Sequence, residues 1–243
     1  MSLPQTTLAE SVTQHIACRI LHGDLHPGRS LPGENELAAE YGVSRTSVRN
    51  ALQFLAAKGL ITIQPKKRTT VNSRELWNLL DADVLNWLAE GEVGPELVEQ
   101  LMVARLIFEP DVATLAALNA TGHDLAALED ALTLMRQGQT EAKRAVFEEG
   151  DLAFHQALLR ATHNPFLLAL GNALSAAMVL SFRQTLEKDV RDSHPAVDDH
   201  FLLFENIRLK QPQAARQQMR TILINAAKKH IWNDLPDLFN FIA

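Results

Sequence analysis

"GVSRTSVRNALQFLAAKGL", residues 42–60, decides how the first third of the chain folds. Val48, Ala51, Leu52 and Leu55 recur at i, i+3, i+4 and i+7, the spacing of one apolar helix face. Thr46, Arg49, Asn50 and Gln53 fall on the opposite arc, with Arg45 at the N-terminal end. Gly42 ends the pattern before it, Ser44 is a preferred N-cap, and Gly59 closes the helix. A helix that reads DNA contacts bases through its first turns. Arginine there can grip guanine O6 and N7, or a phosphate, and Thr and Ser suit phosphate or thymine. Arg45, Thr46, Ser47, Arg49 and Asn50 are therefore the candidate readers. An ordinary solvated helix face has the same composition, so the neighbouring segments must decide.

Outward from this helix, Glu34 to Tyr41 reads as a shorter helix, and Leu8, Val12, Ile16 and Ile20 mark an earlier one. The stretch between them, "GDLHPGRSLPGE", is rich in turn residues. After Gly59, "LITIQ" alternates as a strand and "RTTVN" is a second β-rich run. The tetrad Pro65-Lys66-Lys67-Arg68 lies between them, and Lys66, Lys67 and Arg68 offer charge to phosphates or the minor groove. Helix, short helix, glycine turn, helix and hairpin is the layout of a winged helix-turn-helix.

Charge divides along the chain in the same sense. Residues 1–72 hold 8 Lys or Arg against 5 Asp or Glu, a balance of +3, within a chain whose total is −6. The remainder holds 15 against 24, a balance of −9. A nucleic-acid-facing N-terminal part joined to a part of different function is expected. With 243 residues, 47% of them apolar, the chain can bury two cores. No basic start followed by an apolar run opens it, and no apolar stretch suffices to span a bilayer. The single cysteine, Cys18, excludes an internal disulfide and reads as a buried, inert thiol. A cytoplasmic location is expected.

From Arg74 onward the pattern is almost wholly helical, with helices near 74–90, 95–121, 123–137, 141–162, 164–188, 196–210 and 212–232. In "EEGDLAFHQALLRATHNP", residues 148–165, Asp151 and His155 share one helix face. Such a pair can begin a divalent-metal site or simply hydrogen-bond, because a metal needs three or more convergent ligands. Among the other histidines His200, at the edge of an apolar stripe with Phe201, Phe204 and Ile207 or Leu203, is the best third candidate. His163 reads as a helix-end residue, His194 as a solvated loop residue, and His123 and His230 as exposed.

Two stretches carry a family resemblance. "GDLHPGRSLPGENELAAEYGVSRTSVRNALQFLAAKGLI" resembles the N-terminal domain of the GntR superfamily of bacterial transcription regulators. It departs at Asn35, where several members carry arginine, and at the wing tip, which lacks the usual glycine. "VARLIFEPDVATLAAL", "FEEGDLAFHQALLRATHNPFLLAL" and "DDHFLLFENIRLKQPQAARQQMR" resemble the FCD domain of FadR-type members. The fold implied is mainly α: a winged helix-turn-helix over 1–73, a linker helix over 74–94, an all-α bundle enclosing an effector cavity over 95–232, and a tail, 233–243. Also implied are a homodimer on a palindromic operator and a metal held by Asp151, His155 and His200. The family's last histidine is replaced by Ile222, so the ligand set for Zn²⁺, Ni²⁺ or Mn²⁺ is incomplete. Water or effector oxygens complete it, or the site is metal-free and these side chains hold the effector directly. Arg105 matches a polar cavity position, although a plain Arg105–Glu109 helix pair accounts for it too. "ELWNLLDADVLNWLAEG", residues 75–91, is similar to the linker of the galactonate-operon repressors, which implies a sugar-acid effector. A metal-dependent enzyme acting on a small acid, or an architectural DNA-binding protein without effector, are the alternatives. No nucleophile elbow, phosphate loop or H-E-x-x-H motif favours the enzyme.

Overall fold

The computed structural model describes residues 8–64, 67–91, 94–186 and 189–230. The chain divides between residues 93 and 94 into two compact units. The first contains α1 (Leu8–Leu21), α2 (Glu34–Tyr41), α3 (Arg45–Ala57) and a hairpin of β1 (Ile61–Thr62) and β2 (Thr70–Val71). The strands run antiparallel with Ile61 opposite Val71, and Ser30 bridges to Thr70 on the other side. All four residues of the α3 stripe are buried, packed with Ile16 and Ile20 of α1, whereas Leu8 stays exposed. Gly42 adopts the left-handed φ of 64° and returns its N–H to the Ala38 carbonyl, which lets α3 follow α2 through a tight turn. Ser44 then caps α3 by accepting from the Ser47 N–H at 3.0 Å.

The helix expected over 74–90 is replaced by a 3₁₀ turn, Arg74–Leu76, and a short α4 (Ala82–Ala89). Trp77 turns extended, ψ 133°, to bury its indole and donate to the Asn72 carbonyl. Asp81 restarts the helix by accepting from the Asp83 and Val84 N–H groups. Lys58 bridges Asp81 and Asp83 at 2.6 and 2.8 Å, and α4 buries Val84, Leu85 and Leu88 while packing on α1. The segment thus belongs to the first compact unit and is not a continuous linker helix. Cys18 is half-buried, not fully buried. Burial first, and then the Glu90 carboxylate 3.3 Å away, push its thiol up to about 12, which leaves it unreactive.

The second unit is helical among the described residues: α5 (Pro95–Asn119), α6 (Gly122–Thr140), α7 (Arg144–Ala161), α8 (Pro165–Thr185), α9 (His194–Arg208) and α10 (Pro212–His230), with a 3₁₀ turn at Val190–Ser193. Pro95 and Pro195 sit in first turns, where a missing N–H costs nothing. Thr121 and Asp124 form a capping box for α6, and Asn164 accepts from the Phe166 and Leu167 N–H groups to start α8. His194, expected in a loop, instead opens α9. His163 ends the α7 turn with φ 53° and meets Asp124 at 2.9 Å. The core joins Leu128, Leu132 and Met135 of α6 to Phe147, Phe154 and Leu158 of α7, and to Leu203 and Ile207 of α9. Residues 233–243, expected to cap the bundle or a dimer contact, lie outside the described residues.

Helices α6 and α7 approach closely because Gly138 and Gly150 lack side chains. A methyl carbon at Gly150 would lie 2.6 Å from the Met135 nitrogen and 2.9 Å from the Ala131 carbonyl oxygen, both backbone atoms that cannot step aside. Gly150→Ala therefore forces the helices apart and is expected to destabilise this unit by about 3 kcal/mol. A lowered denaturation midpoint in urea checks this, and an unchanged midpoint would show that the helices slide freely. None of the described helices is long and apolar enough to cross a membrane.

Candidate functional site

Phe147, Asp151, His155 and Leu158 follow one another along one buried face of α7, so the fold carries a carboxylate and an imidazole into the interior. On α9 the buried face is Val197, His200, Leu203, Phe204 and Ile207. Phe201, expected in that stripe, is exposed and lies under the Arg136 guanidinium. The two helices place His155 Nε2 3.4 Å and His200 Nε2 3.2 Å from the same oxygen, Asp151 Oδ1. One ligand atom from each residue lies within 4.8 Å of the others, and among the described residues no other His, Cys, Asp or Glu group does this.

Outer contacts set which imidazole nitrogens face inward. His200 Nδ1 lies 2.7 Å from the Ala196 carbonyl oxygen, and His155 Nδ1 lies 2.8 Å from Glu109 Oε2. A carbonyl oxygen can only accept, so His200 Nδ1 carries the proton and its Nε2 turns a lone pair toward Asp151, while His155 presents its Nε2 to the same oxygen. A carboxylate oxygen and two imidazole nitrogens converge at one point. Asp151 Oδ1 and His200 Nε2 are buried and lack a well-aligned hydrogen bond among the described residues. Only a proton or a cation relieves that arrangement. Burial raises the Asp151 carboxyl, but the imidazoles of His155 and His200 beside it outweigh that and hold the group well below the usual carboxylate range. The donor set of one carboxylate and two imidazoles, each imidazole braced behind by an oxygen, fits a divalent transition metal.

Arg105 is buried and does both things considered for it. Its Nε and Nη2 meet Glu109 at 2.5 and 3.2 Å, and its Nη2 lies 3.5 Å from His155 Nε2. Burial raises Glu109, but the Arg105 guanidinium and then the His155 ring beside it bring it down to about 2. Arg105, Asp151, His155 and His200 all line one cavity of about 270 Å³, and Ile222 of α10 forms part of the same wall. The position of the expected last ligand therefore presents an apolar side chain. The side chain of His230 lies outside the described residues. Glu109, taken from sequence only as a partner for Arg105, is also the brace for His155. Only its i,i+4 spacing from Arg105 was visible in advance.

In the first unit Arg45, Thr46, Arg49 and Asn50 are exposed on one side of α3, and Lys67 and Arg68 are exposed beside the hairpin. Lys66, the other expected wing contact, lies outside the described residues. Ser47 is half-buried, and its hydroxyl meets Ser44 Oγ at 2.9 Å, so it serves the cap. Glu34 of α2 was not anticipated. Its carboxylate takes Arg49 Nε at 3.1 Å and Nη2 at 2.8 Å, with Arg45 4.0 Å away. The bidentate contact orients the Arg49 guanidinium on the outer face of α3.

Two family descriptions match this chain. "Bacterial regulatory proteins, gntR family" covers residues 8–71, and "FCD domain" covers residues 100–225. The chain belongs to the gntR family. This gntR-family chain is 35% identical to the galactonate operon transcriptional repressor of Escherichia coli K12, over 87% of itself and 91% of that protein. It is 29% identical to the transcriptional repressor NanR of Klebsiella aerogenes, over 91% of itself and 84% of NanR. Its fold resembles that of Lar from Listeria monocytogenes, with a TM-score of 0.65 at 19% identity, covering 92% of this chain and 96% of Lar. The gntR-family chain is thus a ligand-responsive DNA-binding transcriptional regulator with a winged helix-turn-helix and an FCD helical unit.

Proposed function

We propose that this regulator represses an operon for sugar-acid breakdown and releases its operator when a galactonate-like acid enters the FCD cavity. The observation that carries the reading is the convergence of Asp151 Oδ1, His155 Nε2 and His200 Nε2 in a cavity that also holds Arg105. The name of the Escherichia coli relative supports the class of acid. Asp151, His155 and His200 would hold a Zn²⁺, Ni²⁺ or Mn²⁺ ion, and the ion would supply Lewis acidity toward a carboxylate and a neighbouring hydroxyl. With Ile222 at the fourth position, water or effector oxygens complete the set. Arg105 lends positive charge to the same carboxylate, although Glu109 shares it. Binding and release need no bond to be made or broken, and the gntR family description and the Escherichia coli relative are both of regulators, which supports a chain without catalysis.

The DNA is read by Arg45, Thr46, Arg49 and Asn50, with Ser47 holding the turn and Lys66, Lys67 and Arg68 on the wing. In this reading the chain works as a homodimer on a palindromic operator, since paired helix-turn-helix units read half-sites about 34–36 Å apart. Residues 1–73 act as the DNA-binding part and 95–232 as the sensor. Release requires the acid to prefer the conformation in which the half-site spacing no longer fits. A thermal-shift titration of metal-stripped protein tests the sensor. Galactonate raises the melting temperature strongly with Zn²⁺ present and little without it. Equal stabilisation without metal would mean that Asp151 and the histidines hold the acid directly. No stabilisation by any sugar acid would remove the effector class.

A further inference from the structure

Ser193 stands at the N-cap position of α9, and serine is among the residues best suited to cap a helix. Its hydroxyl does not do so, because no N–H of the first turn donates to it. The side chain is 2% exposed, and its Oγ has no hydrogen-bond partner among the described residues. Leaving a buried hydroxyl unpaired costs stability, so the position asks for a reason. Ser193 lines the same cavity as the Asp151 triad. It lies on the cavity face of α9 with Ala196 and His200, at i, i+3 and i+7. Seven residues of helix place it about 10 Å from His200 along the axis. The turn that carries it is held in place, since Gln139, buried on α6, donates to the Arg191 carbonyl at 2.9 Å. Asp199 and Asn225 also face the cavity, but they already bond each other at 3.1 Å.

We propose that Ser193 is a specificity-determining residue that reads a hydroxyl at the far end of a ligand anchored on Asp151, His155 and His200. The inference rests on the effector reading above and deepens it. The cavity measures its ligand: a short hydroxy acid reaches only the triad, whereas an extended polyhydroxy acid also satisfies Ser193. A site built to bond a hydroxyl discriminates against ligands that lack it, because its own polar group is then left unpaired.

The test compares full-length protein and its Ser193→Ala variant, both supplied with Zn²⁺, by calorimetric titration with galactonate, gluconate and glycolate. Ser193→Ala weakens the better of the two sugar acids about tenfold. It leaves glycolate affinity unchanged. The ligand-free melting temperature is equal to or above that of the parent, because a buried unpaired hydroxyl has been removed. Ser193→Cys, close in size and a poor hydrogen-bonding group, shows the same selective loss. Parental affinity for the sugar acids in both variants, or an equal loss for glycolate, would overturn the role of Ser193 and leave the effector reading standing. A parent that binds none of these acids would overturn the effector reading, and this inference with it.

Discussion

Replacing Arg45 and Arg49 together by alanine is expected to lower affinity for an operator duplex about a hundredfold, roughly tenfold from each side chain. Both arginines project from the first turns of α3, where a groove-reading helix meets base edges and phosphates. Both are exposed, and the buried stripe of Val48, Ala51, Leu52 and Leu55 is untouched, so the fold persists. Alanine also favours helix more than arginine does. The unfolding midpoint therefore stays constant while binding falls, and the salt dependence flattens by about one phosphate contact for each arginine that held a phosphate. Arg49→Lys does not rescue binding. An ammonium group cannot take both Glu34 oxygens in the bidentate manner of Arg49 Nε and Nη2, and it cannot grip guanine in that manner either. Anisotropy of a labelled duplex, selected by the protein from a random pool, measures the loss. Full retention of sequence-specific binding in the double variant would place the reading surface elsewhere.

The second large effect concerns the sensor and runs in two directions. Asp151→Ala removes the oxygen on which both imidazoles converge and leaves two ligands. Zn²⁺ affinity is expected to fall at least about a hundredfold, because even outer contacts to a metal site are worth about 10–100-fold. Ile222→His does the reverse. Ile222 is buried in the cavity wall beside the triad, and a histidine there supplies a fourth side-chain ligand. Affinity rises by a comparable factor, while acid binding weakens because the added imidazole takes a position left to effector oxygens. Competition against a zinc-responsive dye reads both changes. Equal zinc affinity in the parent, Asp151→Ala and Ile222→His would show that these side chains do not bind metal at all.

How far the sequence led can be traced to the range of each interaction. The α3 stripe, its caps and the Asp151–His155 pair were readable because each is settled within two turns of one helix. His200 lies on a different helix, so its place at the edge of an apolar stripe made it a candidate, and only the FCD resemblance joined it to Asp151 and His155. Glu34 and Glu109 escaped because their decisive partners, Arg49 and His155, come from other helices, and nothing local marks a carboxylate that will brace a distant side chain. The segment 74–90 misled for a local reason. Trp77, Leu80, Val84 and Trp87 repeat at helical spacing, yet Trp77 is buried from an extended backbone and Leu80 is exposed. Asp81 is what starts the helix there, and a capping aspartate looks from sequence like any other polar helix residue. Ser193 was hidden by its suitability as a cap.

The central proposal is that an acid in this cavity, acting through Asp151, His155 and His200, controls DNA binding. The direct measurement is duplex anisotropy with full-length protein, titrated with galactonate in the presence of Zn²⁺, for the parent and for Asp151→Ala. Release is expected from the parent over a range of acid concentrations, and none from Asp151→Ala, which still binds the duplex. Release of both proteins at the same acid concentration, or of neither by any sugar acid, would contradict it.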